Sequence, residues 1–432
     1  MNRTTFSLKV FYLLGTAVAV STALLVAFVI HVMVGKIYPE MHRDRTVYVT
    51  GRFYSGDFNA ETFSGGYSKR AIEDVFSRLD CVEVATGVSL MHVVGSLNPA
   101  SAAVGKRTVD VRPICTDTAF FRMYELEWID GRAFTHQQFE DGEDCVVITD
   151  QLARQLFDGE TRVAGRTVLL GYKPFRITGV VRAGSNMLPQ SSADIYVPYT
   201  NKDAFSMGSL HGFPYAGYME VRCLLKEGCT RQTLLDQLAP YRAAYISEQT
   251  TASSSGKVDW VIRARSHYFF ALSFFDADNE TTADYLNQLW IPALIMLLLL
   301  LLPAINMSAL VSGMMEGRLA ELGVRKAFGA TNRTLLRQVL TQNLWFTCLG
   351  GILGLLLCYG LLKLLSTSTL FITIFTQSAT SSSLNITPDM LWNWPMLIVT
   401  FVCCAVLNLM AAFIPVWHSL KRPLVEAMNQ KQ

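Results

Sequence analysis

The sequence lacks every short motif that marks a common enzyme class. It contains no GxxxxGK[ST] phosphate-binding loop, no HExxH zinc pair and no GxSxG nucleophile turn. Its histidines outside the apolar segments are widely scattered, and the acidic run at 140–144 lacks the glycine and the spacing of a calcium loop, so it is typical of a solvated loop. We therefore expect no catalytic residue, no metal site and no cofactor in this chain.

Charged residues are almost absent from four long apolar segments, near residues 10–34, 290–310, 340–365 and 395–417. About 20 apolar residues of helix cross a bilayer, so each segment is long enough to span. A charge at the centre of such a helix costs about 3 kcal/mol, and a channel for a polar substrate usually retains some of them for function. Their absence argues against a hydrophilic path through the membrane.

Lysine and arginine are missing from residues 366–394, whereas basic residues cluster at 312–339 and at both termini. Positive-inside bias places both termini and 312–339 in the cytoplasm, and the large region between the first two segments outside. Residues 36–289 contain 26 basic and 31 acidic residues, against 11 and 4 elsewhere. Because the excess bases flank membrane segments, they indicate topology and contact with lipid, and we expect no nucleic-acid partner.

This pattern predicts a multi-pass membrane protein with four transmembrane α-helices and a large α+β extracytoplasmic domain inserted between helices 1 and 2. Alternation at 45–50 predicts a strand, residues 166–170 and 175–181 read as two strands joined by a turn at 171–174, and the Ser/Thr run at 250–255 predicts a loop. Helical spacing occurs at 69–79 and 231–246. The first apolar run is longer than a signal-peptide core, which favours a signal anchor. The predicted order is a cytoplasmic N-terminus (1–9), helix 1 (10–34), the outer domain (35–285), helix 2 (286–311), a cytoplasmic coupling segment (312–339), helix 3 (340–365), a short outer loop (366–394), helix 4 (395–417) and a cytoplasmic C-terminus (418–432).

The nine cysteines fit no known disulfide framework. Four of them fall inside membrane segments and five lie outside. Cys223 and Cys229 are close enough in sequence to bridge in an oxidising compartment. Since the number of cysteines outside the membrane segments is odd, free thiols remain the alternative.

The stretch at 316–334, between the second and third apolar segments, is the most specific in the chain. Apolar residues repeat there every three or four positions with charges alongside, Gly329 suits the end of a helix, and Thr331 or Asn332 can cap the next one. The pattern predicts a short helix at the inner membrane face, a sharp break, and then a spanning helix. A basic helix that lies on anionic lipid has the same composition and stays open as an alternative.

This stretch resembles the permease family that includes the macrolide exporter MacB, the lipoprotein-release permeases LolC and LolE, and the division protein FtsX. The family has E-[IL]-G-[IV]-R-[RK]-A-x-G-A at this place, and Glu321–Ala330 matches it at every defined position. Similarity to the family's outer domain and C-terminal ending is weaker, and it occurs at 130–135, 146–150, 165–168, 177–181 and 422–428, where Met428 replaces the usual leucine. The resemblance covers essentially the whole chain. It implies a MacB-like periplasmic domain at 35–285 and an FtsX-like permease domain at 286–432.

The resemblance also implies partners. Two permeases associate, as two copies or as a pair with a related chain, and each sets its cytoplasmic turn into a cleft on an ABC ATP-binding subunit. MacB has that ATPase fused to its N-terminus, whereas only residues 1–9 precede the first segment here, so we expect a separate ATP-binding subunit. The implied coupling residues are Glu321, Gly323, Arg325, Lys326, Gly329 and Ala330.

Gly350 and Gly354 form a GxxxG motif in the third segment that permits close approach of another helix. The motif is compatible with a seam between two permeases. It is equally compatible with packing inside one chain.

In function, the resemblance implies the permease subunit of an ABC-type mechanotransmission or efflux complex in the bacterial inner membrane. Such a subunit couples ATP hydrolysis by its partner to a conformational change in the periplasm, and to export or release of an extracytoplasmic substrate. A periplasmic adaptor and an outer-membrane channel are further candidate partners. Two alternatives stay open: an FtsX-like signalling regulator of a periplasmic envelope hydrolase, and a membrane-anchored receptor without an ATPase.

Overall fold

The computed structural model describes residues 3–55, 61–89, 100–188, 190–202, 214–252, 258–272, 328–369, 384–391 and 393–421, together with Ile372 and a few isolated residues between 290 and 325. The chain divides into two units. A helical unit comprises Met1–Val32, Leu289–Phe371 and Pro388–Gln432. A sheet unit comprises Met33–Gln288 and Ile372–Thr387.

The helices of both units, within the described residues, are numbered in chain order. They are α1 (Arg3–Val34), α2 (Lys69–Asp74), α3 (Phe120–Met123), α4 (His136–Glu140), α5 (Asp150–Leu156), α6 (Arg231–Ala252), α7 (His267–Leu272), α8 (Asn332–Leu365), α9 (Pro388–Leu391) and α10 (Trp394–Lys421).

The described strands of the sheet unit form one mixed sheet. They are β1 (Thr46–Ser55), β2 (Glu61–Tyr67), β3 (Val82–Ser89), β4 (Ala100–Val104), β5 (Arg107–Val111), β6 (Pro113–Thr116), β7 (Trp128–Gly131), β8 (Cys145–Thr149), β9 (Thr167–Leu170), β10 (Lys173–Val181), β11 (Ile195–Pro198), β12 (Ala216–Gly217), β13 (Met219–Leu225) and β14 (Val258–Ser266). Their order is β12-β2-β1-β13-β3-β6-β11-β8-β10-β9-β4-β5, with β14 paired to β1 and β7 paired to β10.

Strand β8 shows why the middle of this sheet is apolar. Every residue from Cys145 to Thr149 is buried, and β8 runs parallel to β10. A strand that is covered on both faces reads as a continuous β-branched run instead of an alternating one. Thr149 then caps α5, because its hydroxyl accepts a hydrogen bond from the Leu152 amide at 3.3 Å.

The first and last strands of the sheet unit lie side by side. β1 and β14 pair antiparallel from Val47 opposite Ser266 to Ser55 opposite Val258. Their inner side chains stack around Trp260, whose ring lies 5.7 Å from that of Phe53. The first and last described strands of this unit are therefore neighbours in the sheet.

Three predicted local boundaries in the sheet unit were wrong. The helix predicted over 69–79 ends at Asp74, and a 3-10 turn over Phe76–Arg78 follows, which lets Val75 and Phe76 both bury completely. The loop predicted at 250–255 begins later, because α6 continues to Ala252. The turn predicted at 171–174 is shorter, since Leu170 already pairs with Lys173 across Gly171 and Tyr172.

In the helical unit, two described helices are long and apolar enough to cross a membrane, Leu13–Val34 within α1 and Asn332–Leu365. A shorter apolar stretch, Trp394–Leu407, begins α10. The predicted segment 286–311 lies outside the described residues apart from isolated positions. The described chain thus has an N-terminal apolar helix, a large α+β domain and then apolar helices. The helices extend beyond the predicted spans because polar turns continue them, as at Asn332.

Candidate functional site

The turn before α8 ends a helix in a specific hydrogen-bonded arrangement, and we call residues 324–338 the elbow. The Phe328 amide donates to the Val324 carbonyl at 3.1 Å, and the Ala330 amide donates to the Arg325 carbonyl at 3.0 Å. Between them Gly329 has a φ of +92°. A backward hydrogen bond across a left-handed glycine is the Schellman form of a helix C-terminus. The predicted helix end at Gly329 is therefore present.

A second helix starts immediately after this break. The Thr331 hydroxyl accepts a hydrogen bond from the Thr334 amide at 3.3 Å and caps α8. A Cβ placed on Gly329 would meet nothing within 4 Å, so glycine is needed there for its backbone angle and not for space. Two caps within three residues fix a sharp and local change of chain direction.

Arg325 bridges the break. Its Nη1 donates to Oε1 of Gln338 on α8 at 2.9 Å, which ties the helix before the break to the helix after it. The i, i+4 spacing of Glu321 and Arg325 also predicts a pair between these two side chains, and it stays a prediction. Glu321, Gly323 and Lys326 lie outside the described residues, and their coupling roles stay predictions.

Sequence reasoning missed Phe328. Its side chain is 88% exposed, and Val324, one turn earlier, is 49% exposed. Phe328 occupies the position that the family motif leaves undefined, so the motif gave no signal. Exposed aromatic and arginine side chains together are typical of protein-binding hot spots.

The GxxxG glycines face α1 of the same chain. A Cβ on Gly350 would lie 2.7 Å from the Cβ of Thr16, and one on Gly354 would lie 2.8 Å from the Ala17 carbonyl oxygen. On the next face, Gly351 lies against the ring of Phe401 in α10. This contact is the packing within one chain that the sequence left open. A seam between two permeases at these glycines stays a prediction.

Cys223 and Cys229 are free thiols. Cys223 is fully buried in β13, and burial raises the pKa of its thiol. Cys229 is partly exposed beyond a turn at Gly228. Their pairing in an oxidising compartment stays a prediction.

Two family models match the chain, one in each part of it. The MacB-like periplasmic core domain matches residues 10–241, and the FtsX-like permease C-terminal domain matches residues 293–424. The first alone covers more than half of the chain.

Curated relatives are macrolide export ATP-binding/permease proteins MacB. The protein from Agrobacterium fabrum is 23% identical over 348 residues, which are 80% of this chain and 45% of the relative. The protein from Pasteurella multocida is 24% identical over 325 residues, which are 75% of this chain and 44% of the relative. The chain thus spans less than half the length of these relatives.

Solved structures of similar domains cover half of the chain. The extracellular domain of the noncanonic ABC-type transporter YknZ from Gram-positive bacteria is 18% identical, with a TM-score of 0.33, over 50% of this chain and 98% of that one. The periplasmic region of MacB from Actinobacillus actinomycetemcomitans is 16% identical, with a TM-score of 0.33, over 50% of this chain and 87% of that one.

The sequence motif at 321–330, the apolar helices and both family models agree on one kind of protein. It is a membrane protein with a periplasmic domain. The chain belongs to the MacB- and FtsX-like family of ABC transporter permeases.

Proposed function

We propose that this chain is the membrane subunit of a complex in which a separate ATP-binding subunit performs the nucleotide chemistry. Binding and hydrolysis of ATP move the elbow, and the membrane helices transmit this movement to the periplasmic domain. The complex then exports or releases a substrate that is already outside the cytoplasm. Both termini and residues 312–339 face the cytoplasm of a bacterial inner membrane.

The shape of the elbow carries this proposal. Two consecutive helix caps and the hydrogen bond from Arg325 to Gln338 make the elbow a stiff corner directly before α8. A stiff corner moves a continuous helix when it is pushed, whereas a flexible loop absorbs the push. Because α8 runs without interruption from Asn332 to Leu365, a displacement at its cytoplasmic end reaches its other end.

The composition of the elbow fits a protein partner better than lipid alone. Phe328 and Val324 present exposed apolar surface, and Arg325 lies in the same turn and Lys326 next to it in sequence. We assign the ring of Phe328 to an apolar depression on the ATP-binding subunit and the two bases to acidic groups around it. Gly329 keeps side-chain bulk away from that contact.

The complex contains two permeases, either two copies of this chain or a pair with a related one. A periplasmic adaptor and an outer-membrane channel are its further partners in efflux. No motif identifies the substrate, because specificity resides in the surfaces of the periplasmic domain.

Purification of the tagged protein from its own membranes tests the proposal. An ATP-binding subunit should copurify, and its hydrolysis rate should rise when the permease is present in nanodiscs. The double substitution Arg325→Glu with Lys326→Glu should abolish this rise without lowering the amount of permease in the membrane. Arg333→Glu is the matched control, because Arg333 is also exposed at the start of α8.

Three results would count against the proposal. Absence of any ATP-binding subunit would favour a membrane-anchored receptor. Capture of the ATPase with a periplasmic hydrolase and no transported substrate would favour a regulator of FtsX type. Equal loss of stimulation in the Arg333→Glu control would show that general positive charge around the start of α8, and not Arg325 and Lys326 in particular, is responsible.

A further inference from the structure

A loop without regular secondary structure, residues 182–192, makes buried and half-buried polar contacts in the sheet unit, and we call it the joint. All its residues except Pro189 are described. Its contacts reach two segments far apart in sequence. One follows α1, and the other is the described part of the connection between α8 and α10.

The first set of contacts joins the joint to the segment after α1. The Tyr38 hydroxyl donates to the Arg182 carbonyl at 3.1 Å, and the Arg182 guanidinium lies 4.9 Å from the centre of the Tyr38 ring. The Ser191 hydroxyl donates to Oε1 of Glu40 at 2.7 Å. Glu40 forms a buried ion pair with Arg43, whose Nε lies 2.8 Å from Oε2 of Glu40.

This ion pair is in turn attached to the end of α1. Nη1 of Arg43 donates to the Gly35 carbonyl at 2.5 Å. The last carbonyls of a helix have no partner inside it, so a buried donor there fixes the position of the helix end. His267 supplies a second such donor, with Nε2 at 3.1 Å from the Met33 carbonyl oxygen. Because a carbonyl only accepts, Nε2 carries the proton.

The second set of contacts joins the joint to residues 384–387. The Asn385 amide donates to Oδ1 of Asn186 at 2.7 Å, and its side-chain Nδ2 donates to the Gly184 carbonyl at 3.4 Å. Nδ2 also lies 3.2 Å from Oε1 of Gln151 on α5. The neighbouring Leu384 is buried. An asparagine held through both its main chain and its side chain, beside a buried leucine, is a fixed attachment and not a passing surface contact.

A third contact anchors the joint to the sheet. Nη2 of Arg222 in β13 donates to Oε1 of Gln190 at 2.8 Å, and the same guanidinium bonds the Gln190 carbonyl. Nε of Arg222 pairs with Glu220 at 2.9 Å. The Tyr196 hydroxyl donates to the Ser191 carbonyl at 2.9 Å. The joint is therefore held to the sheet near its C-terminal end and linked to both of the other segments.

Polar contacts of this kind contribute to the stability of the fold. A buried charge that loses its partner destabilises the fold strongly, and a buried hydrogen bond contributes about 1 kcal/mol, with a larger penalty when one partner is left alone. A change on one side of the joint must therefore shift the loop or break a bond. A cavity of about 170 Å³ beside Asn385, lined by Gln151 and Asn186 among others, gives that side room to move.

We propose that residues 182–192 couple the segment that follows α1 to the segment 384–387, so that each responds when the other is displaced. The Ser191–Glu40 bond is the link on one side, and the Asn186–Asn385 bond is the link on the other. This coupling lies within the chain and holds whether or not an ATP-binding subunit drives it.

Hydrogen exchange with mass spectrometry on the full-length protein in nanodiscs tests the coupling. Ser191→Ala removes the link to Glu40 and leaves the Glu40–Arg43 pair intact. We expect amide exchange at 384–387 to speed up about five-fold, although Ser191 does not contact that segment. Coupling free energies are reciprocal, so Asn385→Ala should speed exchange at 36–45 by a similar factor.

Ser192→Ala is the matched control. It removes the same hydroxyl from the neighbouring residue of the joint, where that hydroxyl accepts from Nη2 of Arg112 at 3.3 Å. Arg112 belongs to neither of the two linked segments. The substitution should therefore leave exchange at both segments unchanged. Thermal unfolding of each variant confirms that it is folded, and Asn385→Ala keeps the test valid should Ser191→Ala lower stability.

The proposal is overturned by faster exchange at the altered link with no change in the distant segment. It is also overturned when Ser192→Ala produces the same acceleration as Ser191→Ala. Neither result involves ATP hydrolysis, so the coupling within the chain and the proposed complex with an ATPase fail or stand separately.

Discussion

Phe328→Ala is the sharpest test of how the elbow meets its partner. A phenylalanine buries about 150–250 Å² when it is fully covered, and this ring is 88% exposed in the isolated chain. Covering it would remove about 180 Å² of apolar surface from water, which corresponds to an upper bound of about 4 kcal/mol. Association costs reduce that figure, and truncation of a central aromatic anchor typically costs about 2 kcal/mol. Binding of the ATP-binding subunit should therefore weaken about 30-fold.

The assay is a titration of the copurifying ATP-binding subunit against permease in nanodiscs, with ATPase stimulation as the signal. Phe328→Leu should lose only a few-fold, since it keeps most of the apolar area. Tyr172→Ala is the matched control, because Tyr172 is an aromatic residue of similar exposure, 93%, in the sheet unit. Unchanged binding by Phe328→Ala, together with loss of binding by Arg325→Glu, would refute the reasoning and show that docking is electrostatic only.

Two further expectations concern stability. Gly350→Ala sets a Cβ 2.7 Å from the Cβ of Thr16 in α1 and should destabilise the helical unit by about 2 kcal/mol. Gly360→Ala, also in α8, meets nothing within 4 Å and should stabilise the unit slightly. Thermal unfolding in detergent compares the two variants, and equal shifts would contradict the close packing. Stability should also fall with acid. Burial lowers the pKa of His267 below 6.5 despite the attraction of Glu40, so its contribution is present above pH 6.5 and is lost as the pH falls through the depressed value. Burial raises the pKa of Glu40, but the attractions of Arg43 and His267 and the hydrogen bonds from Ser191 and Arg43 together outweigh burial and hold the pKa below 4.5, so a further loss follows as the pH falls through that lowered value. When unfolding curves are measured over a series of pH values, Glu40→Gln should lack the loss of stability at lower pH. An unchanged dependence of stability on acid would contradict the assignment of that loss to Glu40.

The general plan of the molecule was readable from the sequence because hydrophobic length and charge distribution are properties of the chain itself. The length and composition of the run Leu13–Val34, which are sufficient to cross a membrane, can be read directly from the sequence. Strands with clear alternation were found for the same reason. The turn between β9 and β10 was predicted two residues too long, since the left-handed backbone at both Gly171 and Tyr172 is unusual for a tyrosine.

Other strands could not be predicted from the sequence, because packing in the sheet and not local strand preference determines their conformation. β4, with the sequence ASAAV, is weak in strand-forming residues, and it is held by its pairing with β5 and β9. β13 buries Glu220 and Arg222 along with its apolar residues. In sequence such charges indicate an exposed face, and only their mutual ion pair and the fold around them make burial possible.

The candidate site divides in the same way. Helix caps depend on neighbouring residues, so Gly329 and Thr331 were predictable from spacing. The exposure of Phe328 and the partner of Arg325 depend on where α8 runs, which spacing does not give. The joint was missed altogether, because Glu40 and Arg43 read as solvated charges until distant residues enclose them.

The pairing of β1 with β14 has a consequence for how such chains diverge. Since Val47 lies opposite Ser266, the residues between them begin and end on one pair of neighbouring strands. Insertions, deletions or larger exchanges between these two strands leave the register of the pair unchanged. The periplasmic domain can therefore change in sequence independently of the membrane helices.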